Sequence, residues 1–379
     1  MNILLLAAGI LCGFILMAGY RRAEATSSYP RRRTCVKVSI IVPARDEERN
    51  LPSLLQSLRN QTMPPYEVIV VDDGSSDSTA EIARDWGADV VQPGEIPAGW
   101  IGKSWACWQG ARHAKGDYFI FLDADICLAE TALESMLADR NLREGLGILT
   151  VQPYHIVRQP YEQLSAFFNL IVLMSVGPGN DRTSGKLVNW YKAGAFGPCL
   201  ALARAVYFQS GGHEAVRSSV LEHFTMSGIV SGLGLAVSNR IGKGMMSFRM
   251  YSGGCAELLR GWAKSFASGA ARTQPLRLGS IIVWIAGAGS GPAIGISGLI
   301  HHNVALFCLG CSFYALYACQ LAILVRRIGN FRLYTALLYP VPLAAYLLVF
   351  AYSILLSCGL GQNSWKGRAL PVGWGRNRR

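Results

Sequence analysis

Four long apolar runs constrain this chain more than any other feature. Residues 3–19, 279–300, 304–325 and 334–357 contain no Asp, Glu, Lys or Arg. A backbone in hydrocarbon must satisfy its own hydrogen bonds, so such runs become helices. About 20 apolar residues cross a bilayer. The first run predicts an uncleaved N-terminal anchor over residues 1–22. A signal peptide is the other reading, with "AEATSS" as its weak cleavage site. Arg21, Arg22, Arg31, Arg32 and Arg33 place the C-terminal side of that anchor in the cytoplasm. Arg326, Arg327 and Arg332 point the same way, as does the basic tail, 358–379, with Lys366, Arg368 and Arg376. These assignments conflict, because four full spans would put the tail outside. Either one run is re-entrant, or the apolar stretch at 164–179 also crosses. That stretch is short and flanked by Pro and Gly, and reads as an interfacial or membrane helix.

Composition agrees with membrane residence. The 379 residues are 51% hydrophobic and 16% charged, where soluble domains carry about a quarter charged residues. The net charge of +12 suits anionic lipid or an anionic substrate. Nucleic acid is not expected as a partner, because the basic residues flank apolar runs and no zinc-finger or RNA-binding signature accompanies them. The ten cysteines are scattered, with no disulfide or zinc framework. A reducing compartment is expected.

Between residues 38 and 152 the pattern changes. "VSIIV" (38–42), "EVIVVDD" (67–73), "ADVVQ" (88–92) and "DYFIFLD" (117–123) read as short buried strands. Helical periodicity separates them, clearest in Leu51, Leu54, Leu55 and Leu58. Alternating strands and helices predict an α/β fold with a mostly parallel, Rossmann-like sheet. Ligands of such sheets bind at the carboxyl ends of the strands.

Three of those strand ends carry acids: "VPARDEERN", "VVDDGSSDST" and "FLDAD". One D-x-D means little; three acidic ends on one sheet edge describe a site. Mg²⁺ or Mn²⁺ takes hard oxygen ligands, often one or two carboxylates plus phosphates. Asp123 and Asp125 face opposite ways on a continued strand, whereas a turn after Asp123 lets both reach one cation. Asp125 is the better direct metal ligand; Asp123 holds either the ribose or the metal. Asp72 and Asp73 can accept hydrogen bonds from a base or ribose. Lys103, at a helix start after Gly102, either meets a diphosphate or is a solvated residue on a helix whose tryptophans pack.

Together, "VSIIVPARDEERNL", "VIVVDDGSSDST", "GKSWA" and "FLDAD" resemble a family 2 glycosyltransferase with a GT-A fold, over roughly residues 36–275. "GWIGKSWACWQGA", "FRMYSGG" and "GWAKSFASGA" narrow the resemblance to the membrane-bound branch that includes carotenoid (diaponeurosporenoate) and hopanoid-associated glycosyltransferases. The resemblance implies inverting transfer from a UDP-sugar. It implies that Asp72 and Asp73 bind uridine, with Pro43, Arg45 and Glu47 lining that pocket. It implies Lys103 at the diphosphate, and Asp123 and Asp125 as the nucleotide and metal acids. The family's base is an acid of an "ED" or "DD" pair. Here that place reads Glu222-His223, so the second acid is a histidine. Either residue can serve as base, and a carboxylate acceptor needs little deprotonation. Arg260, Trp262 and Lys264 occupy the place of an Arg/Trp motif near the acceptor, or form an amphipathic surface helix. His213, after Gly211-Gly212, reads as a structural loop residue, with an acceptor-site group as the alternative.

The expected protein is a multi-pass, cytoplasm-facing enzyme of the cell membrane. It moves a hexose, glucose first, from a UDP-sugar to a carotenoid carboxylate or hydroxyl. A hopanoid or other polyisoprenoid lipid is the alternative acceptor. A non-catalytic sugar-nucleotide-binding membrane protein is the alternative class, prompted by the missing second acid.

Overall fold

The computed structural model describes residues 3–20, 36–179, 194–263, 266–357, 364–365 and 368–369. It divides into two compact units. One contains residues 20–154 and 178–249; the other contains residues 1–19, 155–177 and 250–379. The region read from sequence as 36–275 is therefore split. Its apolar segment 155–177 and its residues from 250 onward belong with the long apolar helices.

The first unit is built on a seven-stranded sheet. Its strands are β1 (Val38–Ala44), β2 (Glu67–Asp72), β3 (Asp89–Val91), β4 (Tyr118–Leu122), β6 (Gly147–Gln152), β8 (Cys199–Ala203) and β9 (Ala236–Ile241); β5 (Ile126–Leu128), β7 (Tyr154–His155) and β10 (Met246–Phe248) lie outside it. The order is β3-β2-β1-β4-β8-β6-β9. Pairings β2–β3, β1–β2, β1–β4 and β6–β9 are parallel, whereas β8 runs antiparallel to both β4 and β6. The first four strands and their helices follow the sequence pattern. The small apolar "CLALA" of β8, and strands β6 and β9, were not singled out there.

The central strands are buried on both faces, which is why they read as continuous apolar runs. Below them, Leu51, Leu54, Leu55 and Leu58 of the helix Leu51–Arg59 are all buried. Each such leucine contributes about 1.5–3 kcal/mol. On the opposite face the helix Gly102–His113 presents Ala106, Gly110 and Ala111 to the sheet. A Cβ on Gly110 would lie 2.5 Å from Ile41 Cγ2 and 2.9 Å from Val71 Cγ2. Small residues thus let this helix sit low on β1 and β2.

In the second unit, three helices are long and apolar enough to cross a membrane: Pro275–Ile300, Val304–Ile328 and Pro340–Ser357. The last is shorter than the 334–357 run, because Leu333–Leu337 forms a separate helix before Pro340. The N-terminal helix, Ile3–Met17, has 15 residues, about 22 Å at the usual rise, and falls short of a full span. Glycines allow close packing in this unit: a Cβ on Gly310 would lie 2.2 Å from Gly295 N. Trp284 Nε1–H donates to Gln320 Oε1 at 2.9 Å, and Gln320 Nε2 donates to Ile10 O at 2.6 Å. The stretch at 164–179 yields a 12-residue helix, Ser165–Val176, with ten residues buried. A helix apolar all round belongs in an interior, and this one is enclosed by its own unit rather than laid on a surface.

Gly110→Leu should destabilise the sheet unit by about 1–3 kcal/mol through overpacking. Ile41→Ala in the same chain should restore part of that loss. Unfolding in detergent micelles, followed by tryptophan fluorescence, measures both.

Candidate active site

At the carboxyl edge of the sheet, two loops are sewn together. Asp46 takes a left-handed conformation, φ 52°. Its N–H donates to Ser75 Oγ (3.0 Å), Glu47 N–H to Thr79 Oγ1 (2.8 Å) and Glu48 N–H to Asp77 Oδ2 (3.1 Å). In return, Asp46 Oδ1 accepts from Ser76 N–H at 2.8 Å. Asp72 Oδ1 accepts from Ser75 N–H at 3.0 Å, closing the turn through Gly74 (φ 72°). Asp73 N–H donates to Ala44 O at 2.9 Å. Asp72 and Asp73 are both buried. Several acids of these loops are therefore fasteners, and they fix the strand ends against each other.

Beside them, β4 ends at Leu122 and the chain turns through Asp123, Ala124 and Asp125 before β5. Asp123 N–H donates to Pro198 O at 3.0 Å. The turn required to bring the two acids to one side is present. Lys103, second residue of Gly102–His113, reaches across: its Nζ lies 2.7 Å from Asp123 Oδ1 and 3.4 Å from Glu222 Oε1. Glu222 opens the helix Glu222–Gly232, where an acid is favoured by the helix dipole.

The charges set one another. Burial works to lower the pKa of Lys103, but Asp123 and Glu222 outweigh it and hold the ammonium well above its ordinary value. Burial works to raise Glu222, yet Lys103 holds it well below the usual carboxylate range. Asp123 feels opposed pulls, upward from burial and downward from Lys103. Burial, helped by the carboxylates of Glu222 and Glu47, leaves its pKa above the ordinary value, while Lys103 Nζ stays in ion-pair contact at 2.7 Å. For Asp125, burial and then the carboxylates of Asp123 and Glu47 push the pKa up to about 7.

Pro43, Lys103, Asp123, Glu222 and His223 line one pocket, floored by apolar groups such as Phe121 and Met226. Asp72, Asp73 and Arg45 stand at the strand ends but do not line it. His223 Nδ1 is 3.8 Å from Glu222 Oε1, beyond hydrogen-bond reach. That atom is buried with no hydrogen-bond partner among the described residues. The ring fits only because residue 197 is glycine; a Cβ there would lie 2.9 Å from Nδ1. Arg260 and Trp262 belong to the helical unit. Trp262 is buried against Phe168 and Phe266, with Nε1–H donating to Ser165 Oγ at 3.1 Å. Its side chain is committed to packing. Lys264 lies outside the described residues.

Residues 39–195 match the family model described as glycosyl transferase family 2. The 4,4'-diaponeurosporenoate glycosyltransferase of Staphylococcus haemolyticus is 39% identical over 283 residues, 73% of this chain and 74% of that protein. The chain belongs to glycosyl transferase family 2. The 4,4'-diaponeurosporenoate glycosyltransferase of Staphylococcus aureus is 32% identical over 337 residues, 88% of each chain. Among solved structures, a mannosyltransferase from Pyrobaculum calidifontis, in complex with GDP-Man and Mn²⁺, matches with TM-score 0.51 at 16% identity, covering 96% of this chain and 100% of that one. At that identity the likeness shows the fold, which is GT-A.

Sequence reasoning placed His213 in a structural loop; in this family 2 chain it lines the pocket. The signal lay in "GGH". Gly211 and Gly212 both have positive φ, 77° and 53°, and turn the histidine inward. Burial pushes its pKa down to about 4, below the unfolded value of about 6.5. The stability it contributes is present above pH 6.5 and is lost as pH falls towards 4. Acidification from pH 7 to pH 5 should cost about 2 kcal/mol through this residue. The thermal midpoint of His213→Phe should fall less over that interval than that of the parent chain.

Proposed function

We propose that this chain transfers a hexose, with inversion, from a UDP-sugar to a membrane-embedded apolar acceptor, a carotenoid carboxylate or hydroxyl. The observation that carries the reading is the bridge of Lys103 between Asp123 and Glu222. It sets a phosphate-binding cation and a buried carboxylate beside each other at the strand edge where nucleotides bind. The relatives above are named for glycosyl transfer to a carotenoid acid. Three helices able to cross a membrane keep such an acceptor at hand.

In this reading Asp72 and Asp73 hold uridine, with Pro43, Arg45 and Glu47 beside them, and Lys103 meets the diphosphate. The donor set suits a divalent cation: Asp125 and Asp123 offer hard oxygens, and positive charge would offset both the burial and the neighbouring carboxylates that lift Asp125 to about 7. Such a cation usually keeps phosphate and water among its ligands besides one or two carboxylates. Mg²⁺ or Mn²⁺ held by Asp125 and Asp123 would neutralise charge on the leaving diphosphate.

Attack by an acceptor oxygen forms the new bond to the anomeric carbon. The bond to phosphate breaks, and its electron pair leaves with UDP. From a hydroxyl acceptor the proton passes to Glu222. A carboxylate acceptor has no proton to give. His223, out of hydrogen-bond reach of Glu222, assists at the acceptor oxygen. Arg260 and Lys264 remain proposed acceptor-side residues, whereas Trp262 packs within its own unit. The catalytic unit faces the cytoplasm, where Arg326 and Arg327 close a helix end.

Purified protein with UDP-glucose, Mg²⁺ or Mn²⁺ and a carotenoid carboxylic acid in micelles should release UDP and form the glycosyl ester. Donor binding without UDP release would reject transfer. Glu222→Gln should lower kcat about 100-fold or more with a carotenoid alcohol, and much less with the acid. Full turnover by Glu222→Gln combined with His223→Ala would exclude both residues. Asp125→Asn should abolish the dependence of donor binding on the cation, read by calorimetry.

A further inference from the structure

One polar group in the pocket is held more tightly than any role in the transfer step explains. His213 is 3% exposed. Its ring meets Phe121 edge-on at 4.8 Å. The hydroxyl of Tyr207, which is fully buried, contacts it twice: Tyr207 Oη accepts from His213 N–H at 3.1 Å and lies 3.0 Å from His213 Nδ1. Tyr207 stacks between Phe121 (5.4 Å) and Trp108 (6.1 Å). Gly212 is required at the turn, since a Cβ there would lie 2.6 Å from the Tyr207 ring.

These contacts fix a tautomer. A buried phenol must donate its proton somewhere. The backbone N–H of His213 is itself a donor, so it cannot take that proton. Nδ1 is the acceptor within reach among the described residues. Nδ1 is therefore bare, and in a neutral ring the proton sits on Nε2. Burial keeps the ring neutral at physiological pH. No hydrogen bond occupies Nε2 among the described residues, and the residue lines the pocket shared by Lys103, Asp123 and Glu222.

We infer that His213 is a specificity-determining residue whose Nε2–H, locked by Tyr207, donates a hydrogen bond to one hydroxyl of the donor sugar. This rests on the transfer reading given above. A sugar is the occupant because, in that reading, Lys103 of the same pocket takes the diphosphate, and His213 lines it beside the apolar Phe121, Leu200 and Met226, where the hexose joined to that diphosphate would lie. Such a site recognises an uncharged oxygen on a compact polar ligand. It also explains selectivity: a buried donor left unpaired penalises any hexose that lacks or misplaces that hydroxyl.

The test uses the full chain in micelles, with UDP-glucose and each of its monodeoxy analogues. His213→Phe keeps the ring volume and should lower kcat/KM for UDP-glucose about fivefold to tenfold, the worth of one neutral hydrogen bond. Against one analogue it should lose nothing further. His213→Gln, whose amide can still donate, should recover most of the loss. Tyr207→Phe should fall between, with the acceptor KM unchanged. Equal loss against every analogue, or a loss confined to acceptor KM, overturns the inference. Nitrogen-15 spectra of the labelled histidines decide the geometry separately: a proton on Nε2 of His213 at neutral pH is expected, and a proton on Nδ1 overturns it. If the parent chain turns over no UDP-hexose, the transfer reading fails on its own, while the spectra still report the tautomer.

Discussion

The ammonium of Lys103 is the joint on which the site depends. It meets a carboxylate at the end of a strand, Asp123, and another at the start of a helix, Glu222. Three elements that are remote in sequence are thereby tied at one point. The side chains of the three are 12–33% exposed, so water screens the pair less than at a surface. Two partly buried carboxylates without the lysine would repel each other and pay for desolvation. The same lysine sets the character of the acid at 222, holding it ionised across any physiological pH. In the proposed transfer a diphosphate entering the site would compete for this ammonium, which would link donor binding to the state of Glu222 electrostatically.

That joint is placed by packing. Helix Gly102–His113 approaches the sheet through Ala106, Gly110 and Ala111, which brings its first turn over the ends of β1 and β4. Strand order does the rest. Because β1 lies between β2 and β4, the acidic ends of three strands become neighbours. The hydrogen bonds between the 46–48 and 75–79 segments then hold those ends without help from a ligand. Asp46, Glu48 and Asp77 look like ligand-binding acids in the sequence, yet their work is to satisfy backbone N–H groups in the two loops.

Much of the sheet half was legible because its physics is local. Buried parallel strands show as uninterrupted apolar runs, and the leucine stripe at 51–58 shows a helix. Strand β8 was not legible. Its "CLALA" lacks β-branched residues, and it becomes a strand only through antiparallel pairing with β4 and β6. The same limit applies to 164–179. Its apolarity is visible, but burial inside a bundle and burial in lipid draw on the same residues. Among the candidate site residues, Lys103 and Asp123 were named by position at a helix start and after a strand, whereas Glu222 came only from the family resemblance. His213 was read first as a loop residue, because its place in the pocket depends on Tyr207, six residues away, and on the two glycines that turn it inward.

The histidine at position 223 is the clearest departure from an acidic pair, and the local charges give it a rationale. Glu222 and Asp123 already share one lysine, and the carboxylates of Asp123 and Glu47 add to burial in raising Asp125. A second carboxylate beside Glu222 would have to be buried 3 to 4 Å from the first on the scale of the present 3.8 Å separation. Like charges at that range hinder ionisation of one another. An imidazole adds no negative charge, can accept or donate at the acceptor oxygen, and leaves Lys103 to balance two carboxylates. An enzyme whose acceptor arrives as a carboxylate gains further from that choice. Bringing an anionic nucleophile to the anomeric carbon is opposed by each acid already at the site, and an imidazole in place of an acid removes one such opponent.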